Sequence, residues 1–272
     1  MPTSASDAPV RRDRRQRVQA ALTGISVLKG LAALGGRASL THLARHIGEN
    51  PAKVHRYLGS MLDEGLVAQD RVSQQYYLGP EAIQIGLVAM RVADPLRLAE
   101  EPLARLCETL GLTCFLAVMG NKGPTIVRFD EPGLPVTVNV RVGSVLSLLL
   151  SATGRVFLAY HSDPRLTDLA REEFESLSRE GRVEGGFDAY VEAVRNAVRR
   201  TGMAIVRDTN LQGISAIAAP IFDATGKVAA VLTVLGASGS FSLEPDGEVA
   251  AGIRAETENI SRAMGATADV KV

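Results

Sequence analysis

The sequence predicts an α+β protein built from an N-terminal winged helix-turn-helix and a larger C-terminal sensor-type domain. Three observations predict it. Helical periodicity before Gly65 gives way to two short strand-like runs, LVAQD and QQYYL, around a turn at Arg71–Ser73. Beyond Gly111 strands and helices alternate in the pattern of an antiparallel sheet with helices before, between and after its strands. Charge divides along the same line. Residues 1–78 hold 11 Lys/Arg against 6 Asp/Glu, and the remainder holds 19 against 24, so a net +5 is joined to a net −5. A basic first third facing a polyanion accounts for that asymmetry.

The elements follow in order. Residues 1–17 are low in apolar content and carry RRDRRQR (Arg11 to Arg17), the composition of a disordered basic tail. Such a tail serves either as a source of phosphate contacts or as a solubilising leader. From Val18 to Leu34, apolar Ala21, Ile25, Leu28, Leu31 and Ala32 recur at helical steps, and Gly35-Gly36 ends the run. Ser39 then caps SLTHLARHIG, with Leu40, Leu43, Ala44 and Ile47 on one face and Gly48 at its end. Asn50, Pro51 and Gly65 are the start and stop signals of a third helix whose inward stripe is Val54, Leu58, Met61 and Leu62. The winged helix-turn-helix thus spans 18–79, its two defining helices being 39–47 and 50–64. EAIQIGLVAMRV (81–92) is apolar on more than one face, which suits a linker helix over 80–93 packed against another subunit.

The second domain is expected over 94–265, with a flexible tail at 266–272. Asp94-Pro95 restarts the chain as a helix ending at Gly111. LTCFLAVMG, PTIVRFD and PVTVNVRVG read as strands, SATGRVFLAY (151–160) as a capped helix start, and two charged helices run to about Arg200. MAIVRD, ISAIAAPIFD and KVAAVLTVLG complete the strands, and a helix over about 245–264 closes the chain.

Composition excludes several classes. No stretch approaches the ~20 apolar residues of a membrane span, and the Arg-rich start is unlike a secretory signal. Cys107 and Cys114 provide neither a disulfide framework nor metal-ligand spacing, and read as ordinary thiols of a reducing cytoplasm. His42 and His46 stand at i, i+4, but without the Glu of HExxH or a third ligand nearby they read as surface histidines. No metal site and no cofactor is expected. No GxSxG elbow, Cys–His pairing or phosphate loop is present, and the lone late histidine, His161, falls at a helix end. No catalytic residue is therefore assigned; an enzyme built on the C-terminal domain and a winged helix used for protein contact are the rival readings.

The front of the third helix carries Lys53, His55 and Arg56, where acidic residues would suit the helix dipole. That inversion makes sense if the helix presents its N-terminal end to duplex DNA. Arg56 can reach guanine or clamp phosphate, Lys53 can do either, and Ala52 offers a methyl to thymine. His55, Arg45 ahead of the turn and Arg71 on the wing are candidate further contacts.

These residues also carry a resemblance. LTHLARHIG, VHRYL, EGLVAQD and YYLGP, in that order, resemble the N-terminal domain of the IclR family of bacterial transcription regulators. VRVGSVLSLLLSATGRVFLAY and GISAIAAPIFDATGKVAAVLTV are similar to that family's effector-domain centre and C-terminal signature, so the resemblance covers about 18–264. It implies a GAF/PAS-like effector domain and a homodimer or dimer of dimers. It also implies control of a catabolic operon, by binding a double-stranded operator in response to a small-molecule effector. Its effector-binding positions correspond here to Ala152, Thr153, Gly154, Ala216, Thr233 and Leu235. Physically, Ser151 caps a helix whose first amides can receive a carboxylate, while Ala216 and Leu235 favour an effector with an apolar, aromatic or branched body. Arg128 and Arg207 can pair with an acidic ligand or, the favoured reading, take part in surface or intradomain salt bridges. Asp208, standing alone where relatives carry more acidic residues, has no assigned role.

Overall fold

The computed structural model describes residues 18–133, 140–161 and 163–267. They fall into two compact units divided between Ala89 and Met90. The basic N-terminal tail expected at 1–17 lies outside the described residues.

The first unit runs α1 (Gln19–Ala33), β1 (Arg37–Ala38), α2 (Leu40–Ile47), α3 (Pro51–Asp63), β2 (Val67–Gln69) and β3 (Tyr76–Leu78), and α4 (Pro80–Val92) begins in it. Local chemistry sets the boundaries. The Ser39 hydroxyl accepts the His42 amide at 3.3 Å to open α2, and Gly48, at φ 68°, closes it in the left-handed region. Asn50 accepts the Ala52 amide at 2.8 Å and Pro51 supplies the preset first turn of α3. Val27, Leu31, Leu43, Val54 and Leu58 are fully buried and join the three helices to Val67 and Tyr76 of the sheet. The sheet has a third strand not expected from sequence: two-residue β1 pairs with β3 through Arg37↔Tyr77 and Ala38↔Tyr76, giving the order β1-β3-β2. Two residues are too few for periodicity to register. None of α4 is buried, and Ile83, Ile85, Leu87, Val88, Met90 and Val92 are all exposed.

The second unit starts with α5 (Pro95–Leu98) and α6 (Glu100–Leu110), where one helix was expected. Pro102 explains the break, since it cannot donate to the Leu98 carbonyl four residues back. β4 (Thr113–Gly120) and β5 (Gly123–Asp130) follow, then α7 (Ala152–Tyr160), α8 (Pro164–Arg179), α9 (Phe187–Thr201), β6 (Ala204–Arg207), β7 (Ile214–Phe222), β8 (Val228–Ala237) and α10 (Glu248–Ala263). The five strands form one antiparallel sheet in the order β5-β4-β8-β7-β6. Both faces are covered, which is why its central strands read as nearly unbroken apolar runs. Ala218, Phe222 and Val231 face Val156, Phe157 and the α8 and α9 residues, whereas Ile217, Ala219, Leu232 and Val234 face Leu103, Leu106, Ile253 and Ile260.

Of the strand expected at 135–143, residues 135–139 lie outside the described residues, and Val140–Gly143 is not strand. Pairing with β5 comes slightly later: Ile126 donates to the Ser144 carbonyl at 3.0 Å and Leu146 to that of Pro124 at 2.8 Å. Gly143, at φ 90°, reverses the chain there and ends any extended run. Ala266 packs against the core, so the expected C-terminal tail is anchored at its first residue. Among the described residues no helix is long and apolar enough to cross a membrane.

Candidate functional site

Two sites were expected, one in each unit. In the first, α3 buries Val54 and Leu58 and turns Ala52, His55 and Arg56 to solvent. Arg45 is exposed on α2, and Arg71 is exposed on the wing between β2 and β3. The wing has its own scaffold. Asp70 accepts the Ser73 amide at 2.8 Å and the Val72 amide at 2.9 Å, and these bonds hold its carboxyl below the usual aspartate range. Arg37 stacks 5.2 Å above the Tyr77 ring at the base of the wing.

Lys53 differs from its neighbours. Its Nζ lies 2.9 Å from Glu49 Oε1, and each side chain retains about a third of its exposure (33% and 31%). No acid lies in the first turn of α3, but Glu49 stands one residue ahead of the cap and supplies the missing negative charge. The i, i+4 spacing of Glu49 and Lys53 was the overlooked signal.

In the second unit, a cavity of about 50 Å³ opens between the start of α7 and one face of the sheet. Ala152, Thr153, Ala216, Thr233 and Leu235 line it together. The register explains how: Ala216 pairs with Leu235 across β7 and β8, and Thr233 pairs with Phe115 of β4, placing these side chains in adjacent rows on one face. The Thr153 and Thr233 hydroxyls meet at 2.8 Å, each 1% exposed, and mark the polar end. Phe115, Val140, Leu146, Val206 and Ile214 build the apolar wall, and Asn210 and Leu211 complete it from the loop before β7. No charged side chain lines the cavity among the described residues.

Gly154 does not line it. Its amide donates to the Ser151 hydroxyl at 2.9 Å, and a Cβ there would fall 2.1 Å from the Ser147 carbonyl oxygen. The glycine is needed for the close approach of its own chain, and the expected row of open amides shrinks to Ala152 and Thr153, for which no protein acceptor stands among the described residues.

The turn Ser147–Ser151 that feeds α7 is pinned from several sides. Glu173 of α8 accepts the Ser147 hydroxyl and the amides of Leu148 (2.8 Å) and Leu149 (3.3 Å). Arg155 Nε and the Tyr190 hydroxyl both donate to the Leu149 carbonyl, at 2.8 and 3.3 Å. The Thr209 hydroxyl donates to the Leu150 carbonyl at 2.8 Å. Sequence reasoning missed Glu173, because a single acid in a helix of many charges gives no hint that it bonds to a loop 25 residues back.

Asp208 is a fastener of the loop before β7, not a cavity residue. It sits at φ 56°, and its carboxylate accepts the Gly213 amide at 2.8 Å and the Ser238 hydroxyl at 2.7 Å. Its neighbour Arg207 is exposed on β6. Arg128 pairs with Glu100 at 3.2 Å and with Asp130 at 3.7 Å.

Comparison with known proteins gives this arrangement its place. Residues 88–262 match the family described as bacterial transcriptional regulator IclR C-terminal, and residues 21–71 match the IclR helix-turn-helix domain. The chain is 30% identical over 213 residues to the HTH-type transcriptional regulator BhcR of Paracoccus denitrificans (strain Pd 1222), covering 76% of this chain and 73% of that one. It is 23% identical over 231 residues to the transcriptional repressor IclR of Escherichia coli (strain K12), covering 80% of each. The crystal structure of Pseudomonas aeruginosa HmgR superposes with a TM-score of 0.84 at 39% identity, over 92% of this chain and all (100%) of that one. Fold and site together define a DNA-binding transcription regulator whose second domain responds to a small ligand. The chain belongs to the IclR family of bacterial transcriptional regulators.

Proposed function

We propose that this regulator represses a catabolic operon and is released from its operator by a small organic acid with an apolar, aromatic or branched body. It works in the cytoplasm as a homodimer or dimer of dimers, with α4 against a second copy, and acts by binding and not by turnover. Lys53, His55, Arg56 and Ala52 enter the major groove on α3, with Arg45 and Arg71 on the flanking backbone or minor groove.

One observation carries the effector class: the cavity joins an apolar wall to the two open amides at the start of α7, with no charged side chain lining it among the described residues. A carboxylate is stabilised there by the amides and the helix dipole, and the rest of the ligand meets hydrocarbon. The volume adds a constraint. About 50 Å³ is well below the roughly 150 Å³ of an engineered cavity that admits benzene, so a ring-sized effector binds only as the cavity widens. A coupling of about 1–3 kcal/mol between cavity and DNA would change operator affinity roughly 5- to 150-fold.

The test has two arms. Fluorescence anisotropy with duplexes selected by the protein from a random library should show binding that weakens steeply with salt, and weakens further in Lys53→Ala and Arg56→Ala. Salt-insensitive binding, or no effect of the double variant, rejects α3 as the reading element. In a thermal-shift screen of carboxylic acids, a true effector at a hundred times its Kd adds about 2.7 kcal/mol. Aromatic and branched acids should stabilise more than two- and three-carbon oxoacids, and the reverse order rejects the effector class.

A further inference from the structure

Six glycines lie inside helices among the described residues, and four have neighbours within the fold that account for them. A Cβ on Gly30 would fall 2.3 Å from Ile47 Cγ2, and one on Gly154 would fall 2.1 Å from the Ser147 carbonyl oxygen. On Gly252 it would press Leu106 at 3.1 Å, and on Gly24 it would touch the Tyr57 ring at 3.6 Å. Gly59 and Gly86 stand apart, because a Cβ at either would meet nothing within 4 Å. Neither has a positive φ, so the backbone does not demand glycine. Glycine inside a helix is nevertheless less favourable than alanine. Gly86 lies on exposed α4, the face assigned above to a second copy.

Gly59 lies in α3, in the row of Ala52 and Arg56 at the i, i+4, i+7 spacing of one helix face. Exposed Ser60 lies beside it. Exposed Asp63 and Glu64 follow, so the outward face changes from basic to acidic just past Gly59. A polyanion lying along α3 therefore leaves the helix there, and Gly59 marks the last part of the face that it meets.

We propose that Gly59 is a positioning residue for the binding of duplex DNA. Its bare backbone lets the sugar–phosphate wall of the groove approach α3 closely, which sets how deeply Arg56 and His55 reach toward the bases. The proposal rests on the reading of α3 as the recognition helix.

The test compares Gly59→Ala, Gly59→Leu and Arg56→Ala in the full chain, on duplexes that the wild-type protein enriches from a random-sequence library. Each variant is measured for thermal midpoint, for affinity and for the slope of log affinity against log salt. Gly59→Ala should keep or raise the thermal midpoint while weakening binding about tenfold, and Gly59→Leu should weaken it further. Neither should change the salt slope, since neither removes a cation, whereas Arg56→Ala should reduce it by about one. If Gly59→Ala binds as tightly as wild type while Arg56→Ala does not, the proposal is overturned and the recognition helix stands. If Gly59→Ala lowers midpoint and affinity together, the glycine is structural and the proposal is likewise overturned. If Arg56→Ala is also without effect, or no duplex is enriched, the reading of α3 falls and takes the proposal with it.

Discussion

Lys53 Nζ and Glu49 Oε1 stand 2.9 Å apart across one turn at the mouth of α3, so the foremost cation of the proposed DNA face is already paired before any DNA arrives. Binding phosphate then requires exchange of one carboxylate for another anion. Partly exposed pairs of this kind contribute about 0.2–1 kcal/mol. Glu49→Gln should therefore tighten DNA binding by roughly 1.4- to fivefold and steepen its salt dependence by about one released counterion. Anisotropy titrations across a salt series measure both, and weaker binding by the variant would show that Glu49 helps to orient Lys53.

The buried hydroxyl pair of Thr153 and Thr233 makes a prediction by contrast. Replacing one by valine takes the partner from the other hydroxyl, at a cost of up to about 1–3 kcal/mol, and less where water from the cavity replaces it. Replacing both removes donor and acceptor together at nearly constant volume and should cost less than either single change. Denaturant unfolding of the two single variants and the double completes the cycle. Additive losses would mean that each hydroxyl has another partner.

Glu173→Ala leaves the Leu148 and Leu149 amides without an acceptor and frees the turn ahead of α7. Losing one buried acceptor already costs about 1–3 kcal/mol, so stability should fall by at least that much. Any acid that stabilises the wild type in the thermal-shift screen should stabilise this variant less, because the turn leading to the amides proposed to receive it is held less firmly. DNA binding by the first unit should persist at temperatures where the variant is folded.

The exposed row on α4 predicts assembly. Ile85→Glu places a charge among Ile83, Leu87 and Val88, 58%, 44% and 56% exposed in the single chain. Burying an unpaired carboxylate is strongly unfavourable, so sedimentation should show the variant shifted toward monomer. An unchanged sedimentation profile would place the contact between copies elsewhere.

The cysteines predict an alkaline weakness. Burial pushes the Cys114 thiol well above its ordinary range, and burial followed by the Asp130 charge raises Cys107. Both sites therefore hold their protons after an unfolded chain would release them. Stability is fully present below the ordinary thiol range of about 8.5 and declines as pH rises from there toward the folded values. Thermal midpoints measured from neutral to alkaline pH should fall less in the Cys107→Ala, Cys114→Ala double variant than in wild type. Equal slopes would assign the loss to other groups.

Much of this architecture was legible in the sequence because it depends on short-range rules. Ser39, Asn50 and Gly48 act within four residues of where they stand, and the inward stripe of α3 follows from its period. Alternation groups Ala216 with Ile214 and Thr233 with Leu235, but only the register of β7 on β8 sets Ala216 opposite Leu235. What escaped depends on long-range contacts or on very few residues. The two-residue β1, the Glu173 clamp and the fastening role of Asp208 have no periodic signature. Gly154 is a subtler case: its place among the effector positions came with the resemblance, whereas its lack of a side chain serves the close approach of the Ser147 carbonyl. The split between α5 and α6 was available from Pro102 but was overlooked.

The loop from Asp208 to Gly213 carries a consequence for timing. Asp208 ties it at one end to Gly213 and Ser238, Thr209 ties it to Leu150, and Arg182 donates to the Thr209 carbonyl at 3.0 Å. Leu211, 42% exposed yet part of the cavity wall, is where that wall meets solvent. A ring-sized molecule that enters or leaves past Leu211 would disturb the same fastenings in both directions, so they slow arrival and departure alike. Brief pulses of metabolite would pass unregistered and sustained ones would be held, giving the regulator a memory set by the residence time of its effector.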